Sequence, residues 1–319
     1  HVKIIGVITV LLYVLIFLIL IICVSAILTQ ITTLKIRRSI PKFGKTTELH
    51  NAEIHWYEAG AGKPIIMLHG LAGNLRNFTY ALTDKLNQDY RVIAIDRAGC
   101  GWSKRSKPEN ATLQEQARII SEFIKKEKIE KPLIVGHSLG GAIALTLALE
   151  HKNKISGLAL ICPVTQMIDD IPDIFRFLNI SNKWFRLFLA YTLSSLIGIL
   201  TREKSFKIAF SPEPVCDNFA IKGGGDLALS SNSFIKTSED LTFAISSAPS
   251  VVGRENELKL PIGVLFGEDD EILDAKLHGE KFSELTGAEF TILPNKGHML
   301  PLTEPEVCAD FIHRIVQKT

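Results

Sequence analysis

The sequence predicts an α/β protein: a mostly parallel sheet of about eight strands with helices on both faces, a helical cap insertion, and an N-terminal transmembrane helix. Three observations predict it. Apolar, β-branched runs alternate with segments of helical spacing from Glu48 to Pro163 and again from Pro261 to Gln317, the pattern of a parallel sheet covered on both sides. One such run, Lys131–Val135, leads into Gly136-His137-Ser138-Leu139-Gly140-Gly141 and then into the Ala/Leu-rich stretch Ala142–Leu149, which gives strand, Gly-x-Ser-x-Gly, helix. Finally, Ile4–Leu28 is 25 residues without a charge. As a helix it would be about 37 Å long, enough to cross a hydrocarbon core of roughly 30 Å with some tilt.

Composition narrows the class. A chain of 319 residues with 46% hydrophobic and 22% charged residues can bury a full core. Its formal net charge of +2 is too near balance for a nucleic-acid partner. Cys23, Cys100, Cys162, Cys216 and Cys308 show neither CxxC nor ligand-like spacing. They are read as ordinary small residues, so neither a disulfide framework nor a metal site is expected.

In chain order, residues 1–34 are expected to be an anchor with its flank. A cleaved signal peptide is the alternative, since Val24-Ser25-Ala26 resembles a cleavage site, but the apolar region is longer than the usual one. Residues 35–47 read as a basic linker holding Lys35, Arg37, Arg38, Lys42 and Lys45. Its cations either face solvent or touch anionic lipid head groups. With only Lys3 ahead of the apolar run, the positive-inside rule puts the globular body on the cytoplasmic side.

Residues 48–164 form the first part of the core. Glu48–His50 and Glu53–Glu58 read as a hairpin turning at Asn51-Ala52, Pro64–His69 as a strand, and Asn77–Asn87 as a helix. Arg91–Asp96 is a further strand, followed by the Gly-rich loop Asp96–Ser103, the helix Leu113–Lys126 and the strand Gly157–Cys162. The alternation lapses over residues 165–255, too long a stretch for a plain loop and read as a cap. It resumes in residues 256–319 with strands at Pro261–Gly267 and Glu289–Pro294 and helices at Asp274–Leu285 and Glu304–Gln317. Between Ile174 and Leu200 the only charges are Arg176, Lys183 and Arg186, and aromatic residues are dense. The apolar run Leu187–Leu200 is too short to span a bilayer. Gly223-Gly224-Gly225-Asp226 reads as a flexible joint and lacks the strand-to-helix setting of a phosphate loop.

Five landmarks, in order, are His69-Gly70, Asp96-x-x-Gly99-x-Gly101-x-Ser103, Gly136–Gly140, Gly267-Glu268-Asp269-Asp270 and Gly297-His298. On these the chain resembles the α/β-hydrolase superfamily from Glu48 to its C-terminal end, apart from the cap. The anchor and the helical cap make it look most like membrane-anchored monoacylglycerol lipases and related carboxylesterases.

The chemistry follows from the residue types. A serine hydroxyl is a poor nucleophile near neutral pH and needs a base within hydrogen-bond reach. Ser138 is the candidate nucleophile and His298 the base, on a loop after the last strand. The imidazole in turn needs a carboxylate to fix its tautomer. Asp270 is the preferred acid, in the position where the resembled family places it. Glu268, Asp269 and Glu271 are rivals by loop register, with Asp169 and Asp170 weaker. Of the other histidines, His137 is expected to be packed inside the elbow, His69 to shape the loop it begins, and His313 to lie on the surface. Backbone N–H groups must stabilise the developing oxyanion: Leu139, directly after the nucleophile, and, by resemblance, Leu71.

The resemblance implies a serine hydrolase that cleaves a carboxylic ester of medium or long acyl chain through an acyl-enzyme, with a small-molecule acyl ester and a lipid membrane as partners and no cofactor. A C–C bond hydrolase, an amidase or an acyltransferase would keep the same triad, and a non-catalytic binding protein would be expected to lose part of it. Haloalkane dehalogenases and epoxide hydrolases of this fold use an aspartate where this chain has Ser138. The cap aromatics would then be its own core, an acyl pocket, or a membrane-facing surface.

Overall fold

A computed structural model describes residues 2–167, 171–245 and 251–319. Strands β1 (Lys45–Glu48), β2 (Ala52–Ala59), β3 (Lys63–Leu68), β4 (Tyr90–Ile95), β5 (Lys104–Arg105), β6 (Leu133–His137), β7 (Gly157–Ile161), β8 (Ile262–Gly267) and β9 (Glu289–Leu293) form one sheet. Their spatial order is β1-β2-β4-β3-β6-β7-β8-β9, with β5 beside β2. Every pair from β4 to β9 along this path is parallel, while β2 runs antiparallel to β1, β4 and β5. The ninth strand is the two-residue β5, which pairs Ala52 with Arg105.

All residues of β6, β7 and β8 are buried, so both faces of the sheet centre are covered, and these strands are apolar throughout instead of alternating. The helices Leu139–Glu150 and Pro305–Val316 both pack on β7. Helix Leu113–Lys126 packs on Leu139–Glu150. It starts at Thr112, whose side chain accepts the N–H of Glu115, the contact of a threonine N-cap. Its buried face carries Ala117, Ile120, Phe123 and Ile124, where each large apolar side chain contributes about 2–3 kcal/mol of burial.

Several boundaries differ from those the sequence suggests. Residues 35–47 are not a linker. The N-terminal helix runs from Val2 to Ser39, and β1 already starts at Lys45. Ile36 and Ile40, one helical turn apart, are buried with Leu227, which is why the helix outlasts its apolar run. The basic residues are also partly engaged: Arg37 stacks over Trp102 at 4.2 Å and donates to the Gly101 carbonyl, and Lys45 pairs with Glu58. The segment Asn77–Asn87 is two short helices, Arg76–Thr79 and Leu82–Leu86.

The cap contains the helices Lys183–Thr192, Ser194–Phe210 and Ser231–Asp240. The first two meet at 76° around Leu193, so the run Leu187–Leu200 is a corner. The expected flexible joint is instead tightly packed. Asn77 and Asn74 donate through Nδ2 to the carbonyls of Gly223 and Gly224 at 3.0 and 3.1 Å. A Cβ on Gly223 would lie 2.4 Å from the Phe219 ring. A Cβ on Gly224 would lie 2.5 Å from Asn74 Oδ1, so glycine at that position lets the cap close on the core.

Candidate active site

The first candidate residue stands where β6 passes into the helix Leu139–Glu150. Ser138 adopts φ 54° and ψ −123°, a region that non-glycine residues rarely occupy. A Cβ on Gly140 would sit 2.0 Å from the Leu68 carbonyl oxygen, and one on Gly136 2.7 Å from the Gly141 Cα. Gly140 therefore lets the turn close against β3, and Gly136 lets β6 lie against the first turn of the helix that follows. The Ser138 N–H donates to the Ile161 carbonyl (3.1 Å), and the Ser138 carbonyl accepts from Gly141 and Val164 (2.9 and 3.1 Å). These bonds hold the strained residue from both sides.

His298 and Asp270 come from the loops after β9 and β8. His298 Nδ1 lies 2.7 Å from Asp270 Oδ2. The other carboxylate oxygen accepts the N–H groups of Ile272 and Leu273 at 2.8 and 2.9 Å. Burial alone would push the Asp270 carboxyl up. The neighbouring His298 and the two backbone donors outweigh it and hold the group below its ordinary value. Ser138 and His298 line one cavity together with Leu71. Glu268, Asp269 and Glu271 are exposed, with Glu271 accepting from Ser211, so Asp270 is the member of that acidic run brought to the imidazole. Asp169 and Asp170 lie outside the described residues.

His137 is buried within the elbow, its Nε2 3.0 Å from the His298 carbonyl oxygen. Burial, with His298 alongside, pushes its pKa down to about 3. A neutral ring donating through Nε2 fits this contact and steadies the backbone of His298. His313 is partly exposed and meets the Tyr90 hydroxyl at 2.9 Å.

The loop after β3 approaches Ser138 closely. A Cβ on Gly70 would sit 2.8 Å from the Ser138 Cβ. That closeness puts the peptide entering Leu71 beside the serine. Leu139 opens the helix on the other side, where the first N–H groups lack intrahelical partners. Asp96 ties the loops together. Its carboxylate accepts from Leu75 and Trp102 N–H (2.7 and 2.8 Å) and meets His55 Nδ1 at 2.7 Å.

Arg97 is a residue that sequence reasoning missed. Its Nε and Nη2 donate to the carbonyls of His69 and Gly70 at 2.9 and 3.1 Å, and its backbone N–H donates to His69 Nε2 at 3.0 Å. His69 therefore carries its proton on Nδ1, directed at the Gly70 carbonyl (2.8 Å). Arg97 is itself paired with Asp240 of the cap, which also binds Arg105. The available signal was Arg97's place directly after a buried strand. Nothing near Asp240 in the sequence marks its role.

The cavity runs from Ser138 and His298 up to the cap residues Phe175, Phe206 and Phe219. Its polar wall includes Asn74, Thr237 and Arg202, the last paired with Asp226 at 3.1 Å. Cys162, Asp270 and His298 place ligand-type atoms within 4.8 Å of one another. As a metal set they fit poorly. Asp270 and His298 are bonded to each other, and burial and the Asp270 charge push the Cys162 thiol well above its ordinary value, away from the thiolate that binds metals.

A parallel sheet with a strained serine elbow and a buried His–carboxylate pair at one rim defines a hydrolase-type α/β protein. Residues 63–305 match the family described as alpha/beta hydrolase fold, and the chain belongs to that family. It is similar to the monoacylglycerol lipase abhd6-A of Xenopus laevis, 23% identical over 261 residues, covering 79% of this chain and 76% of that protein. It is 33% identical over 107 residues to the dihydrolipoyllysine-residue acetyltransferase component of the acetoin cleaving system of Cupriavidus necator, but spans only 28% of that protein. Among solved structures, the epoxide hydrolase CorEH superposes with a TM-score of 0.72 at 18% identity, covering 86% of this chain and 98% of that one. A membrane phospholipase A described as a bacterial virulence factor superposes with a TM-score of 0.67 at 20% identity, covering 98% of this chain and 97% of that one.

Proposed function

We propose that this chain is a serine hydrolase of lipid-like carboxylic esters. The observation that carries the reading is the His298–Asp270 pair facing the cavity in which Ser138 stands on its strained turn. Ser138 attacks the acyl carbonyl as His298 takes its proton through Nε2. Asp270 keeps the opposite imidazole nitrogen protonated and stabilises the imidazolium. The N–H groups of Leu71 and Leu139 receive the oxyanion, each such donor contributing about 3–4 kcal/mol in the transition state. His298 returns the proton to the leaving alcohol, and water then attacks the acyl-enzyme with the same base.

A serine at position 138 argues against the aspartate-nucleophile chemistry of epoxide hydrolases on this fold. The apolar cap wall, the monoacylglycerol lipase relatives and the membrane phospholipase likeness support an acyl-ester substrate. The N-terminal helix supports a bilayer as the setting, with every side chain from Ile4 to Val24 exposed and apolar or small. The basic residues after it favour a cytoplasmic body.

The test is labelling with a fluorophosphonate, followed by a p-nitrophenyl ester series from acetate to palmitate. Wild type should label, Ser138→Ala should not, and kcat/KM should peak at a medium or long chain. Equal labelling of both proteins would remove Ser138 from the mechanism. A flat chain-length profile would favour the amidase, C–C hydrolase or acyltransferase readings.

A further inference from the structure

The N-terminal helix changes character at a single point. Ile4–Val24 is exposed on every side, and at 1.5 Å per residue its 21 residues span about 31 Å, the thickness of a hydrocarbon core. From Ser25 onward one stripe turns inward: Ser25, Thr29, Ile36 and Ile40 are buried. Ser25 Oγ and Thr29 Oγ1, one turn apart, both donate to the Thr192 carbonyl, at 2.5 and 2.8 Å. Thr33 Oγ1 accepts the Ser231 N–H at 3.3 Å. These contacts reach two cap helices, Lys183–Thr192 and Ser231–Asp240.

Thr192 occupies a particular place. It is the last residue of helix Lys183–Thr192, before the 76° turn into Ser194–Phe210, and terminal carbonyls of a helix lack intrahelical partners. The two hydroxyls of the N-terminal helix satisfy it. On the cavity side, Ser194, Gly198 and Phe206 of the next helix line the cavity above Ser138, and Ser195 Oγ donates to the Leu229 carbonyl at 2.8 Å. The corner is thus held by the N-terminal helix on one side and by Leu229 on the other.

We propose that Ser25 and Thr29 are positioning residues that act through Thr192 to fix the cap corner, and so set the depth of the acyl cavity. The segment Ser25–Ser39 is then a working part of the cap, and the helix that enters the bilayer also shapes the substrate site. This rests on the acyl-ester reading above. The two hydroxyls never meet the substrate, so their loss should alter how a long chain binds and leave the chemistry on a short one.

The experiment uses the full chain in detergent micelles. It compares p-nitrophenyl decanoate with p-nitrophenyl acetate for wild type, Ser25→Ala/Thr29→Val, Thr29→Ser, and Thr9→Val as a control. Among the described residues, the Thr9 hydroxyl bonds to the Ile5 carbonyl of its own exposed segment and to nothing in the cap. In the double variant the decanoate-to-acetate ratio of kcat/KM should fall at least fivefold, through the decanoate KM, with acetate turnover within twofold of wild type. Thr29→Ser and Thr9→Val should leave the ratio unchanged. A ratio within twofold of wild type, or equal losses on both esters, overturns the proposal. If the double variant shows no cooperative melting, Ser25→Ala alone is read, with a fall of more than twofold expected and an unchanged ratio again overturning it. A wild type that turns over neither ester overturns the acyl-ester reading and this inference with it. An active wild type with unchanged variant ratios overturns this inference alone.

Discussion

Arg97 Nη1 lies 3.0 Å from Asp240 Oδ2, in a setting where the side chains are 1% and 0% exposed. One end of this pair holds the carbonyls of His69 and Gly70. The other is the last residue of the cap helix Ser231–Asp240. Asp240 also receives Arg105 Nη1 at 2.6 Å, and Glu239 receives Arg105 Nη2 at 3.0 Å, so two buried guanidinium groups face two buried carboxylates. Taking these charges out of water costs several kcal/mol per ion. What the arrangement achieves is geometric: the loop proposed to supply one oxyanion donor is fixed by a side chain whose own partner belongs to the cap.

Asp240→Asn keeps the shape and removes one charge from that set. Breaking a buried pair typically costs about 3–5 kcal/mol, so thermal unfolding should shift down by several degrees. Because Arg97 holds the Gly70 carbonyl, kcat for p-nitrophenyl acetate should fall about tenfold with KM nearly unchanged. Glu239→Gln, which disturbs Arg105 and Lys236 but not Arg97, should lower stability with a smaller effect on kcat. Equal kcat values in the two variants would mean that the pair supports the fold only.

Gly70→Ala probes the same loop from the other side. The added methyl would lie 2.8 Å from the Ser138 Cβ and 3.2 Å from Oγ, too close for either side to keep its place. A displacement of the order of 1 Å in a reacting group costs about a hundredfold in rate. The expected result is a hundredfold loss in kcat/KM with an unfolding midpoint close to that of wild type. Retained activity would show that the loop can retreat without cost and would weaken the assignment of Leu71.

Ser138, His298 and Asp270 could be picked out of the sequence because each sits beside glycines or acidic residues at a strand end, where short-range pattern carries the signal. The same holds for β3, β4, β6, β7 and β8, whose apolar runs are nearly continuous. What did not show was anything fixed by distant partners. Arg97 and Asp240 are 143 positions apart, and neither has a local reason to be buried with a charge. The helix end at Ser39 depends on Ile36 and Ile40 meeting Leu227, and the corner at Leu193 on contacts from Ser25 and Thr29. The Gly223–Gly225 stretch suggested freedom because glycine permits it locally. Packing against Phe219 and bonds from Asn74 and Asn77 remove that freedom.

Acid should destabilise the protein through its buried histidines. Burial pushes His278 down to about 4 and His137 to about 3, with His298 also disfavouring the charged form of His137. Burial and the Arg97 charge likewise lower His69 well below its ordinary value. His278 Nδ1 accepts from the N–H groups of Thr165 and Gln166 at 3.2 and 3.3 Å, which a protonated nitrogen cannot do. Each folded value lies below the roughly 6.5 of an unfolded histidine, so the unfolded chain binds more protons on acidification. Their contribution is complete above about pH 6.5 and is lost as pH falls towards the folded values, at about 1.4 kcal/mol per pH unit for each proton. Asp270, held below the ordinary carboxylate value of about 3.9, loses its contribution only as pH falls further, through its folded value. Urea unfolding between pH 7.5 and 4 should show this decline, and His278→Gln should flatten it by about one proton. An unchanged slope in the variant would rule out His278 as a contributor.

Under the proposed membrane setting, the contact between Ser25 and Thr192 predicts where the cap meets the bilayer. If Ile4–Val24 fills the hydrocarbon core, Ser25 lies at its edge, and so does the end of helix Lys183–Thr192. That helix exposes Trp184, Phe185, Phe188 and Tyr191, with Lys183 over the Trp184 ring at 5.7 Å, a mixture favoured at the head-group level. The chain has three tryptophans. Trp56 is buried in the sheet, Trp102 is covered by Arg37, and Trp184 is 76% exposed. In phosphatidylcholine vesicles, lipids brominated near the head of the acyl chain should quench a component of the emission, and Trp184→Phe should abolish that component. Lipids brominated near the chain end should quench it much less. Quenching that survives Trp184→Phe, or stronger quenching from the deep label, would place the cap elsewhere than at the membrane surface.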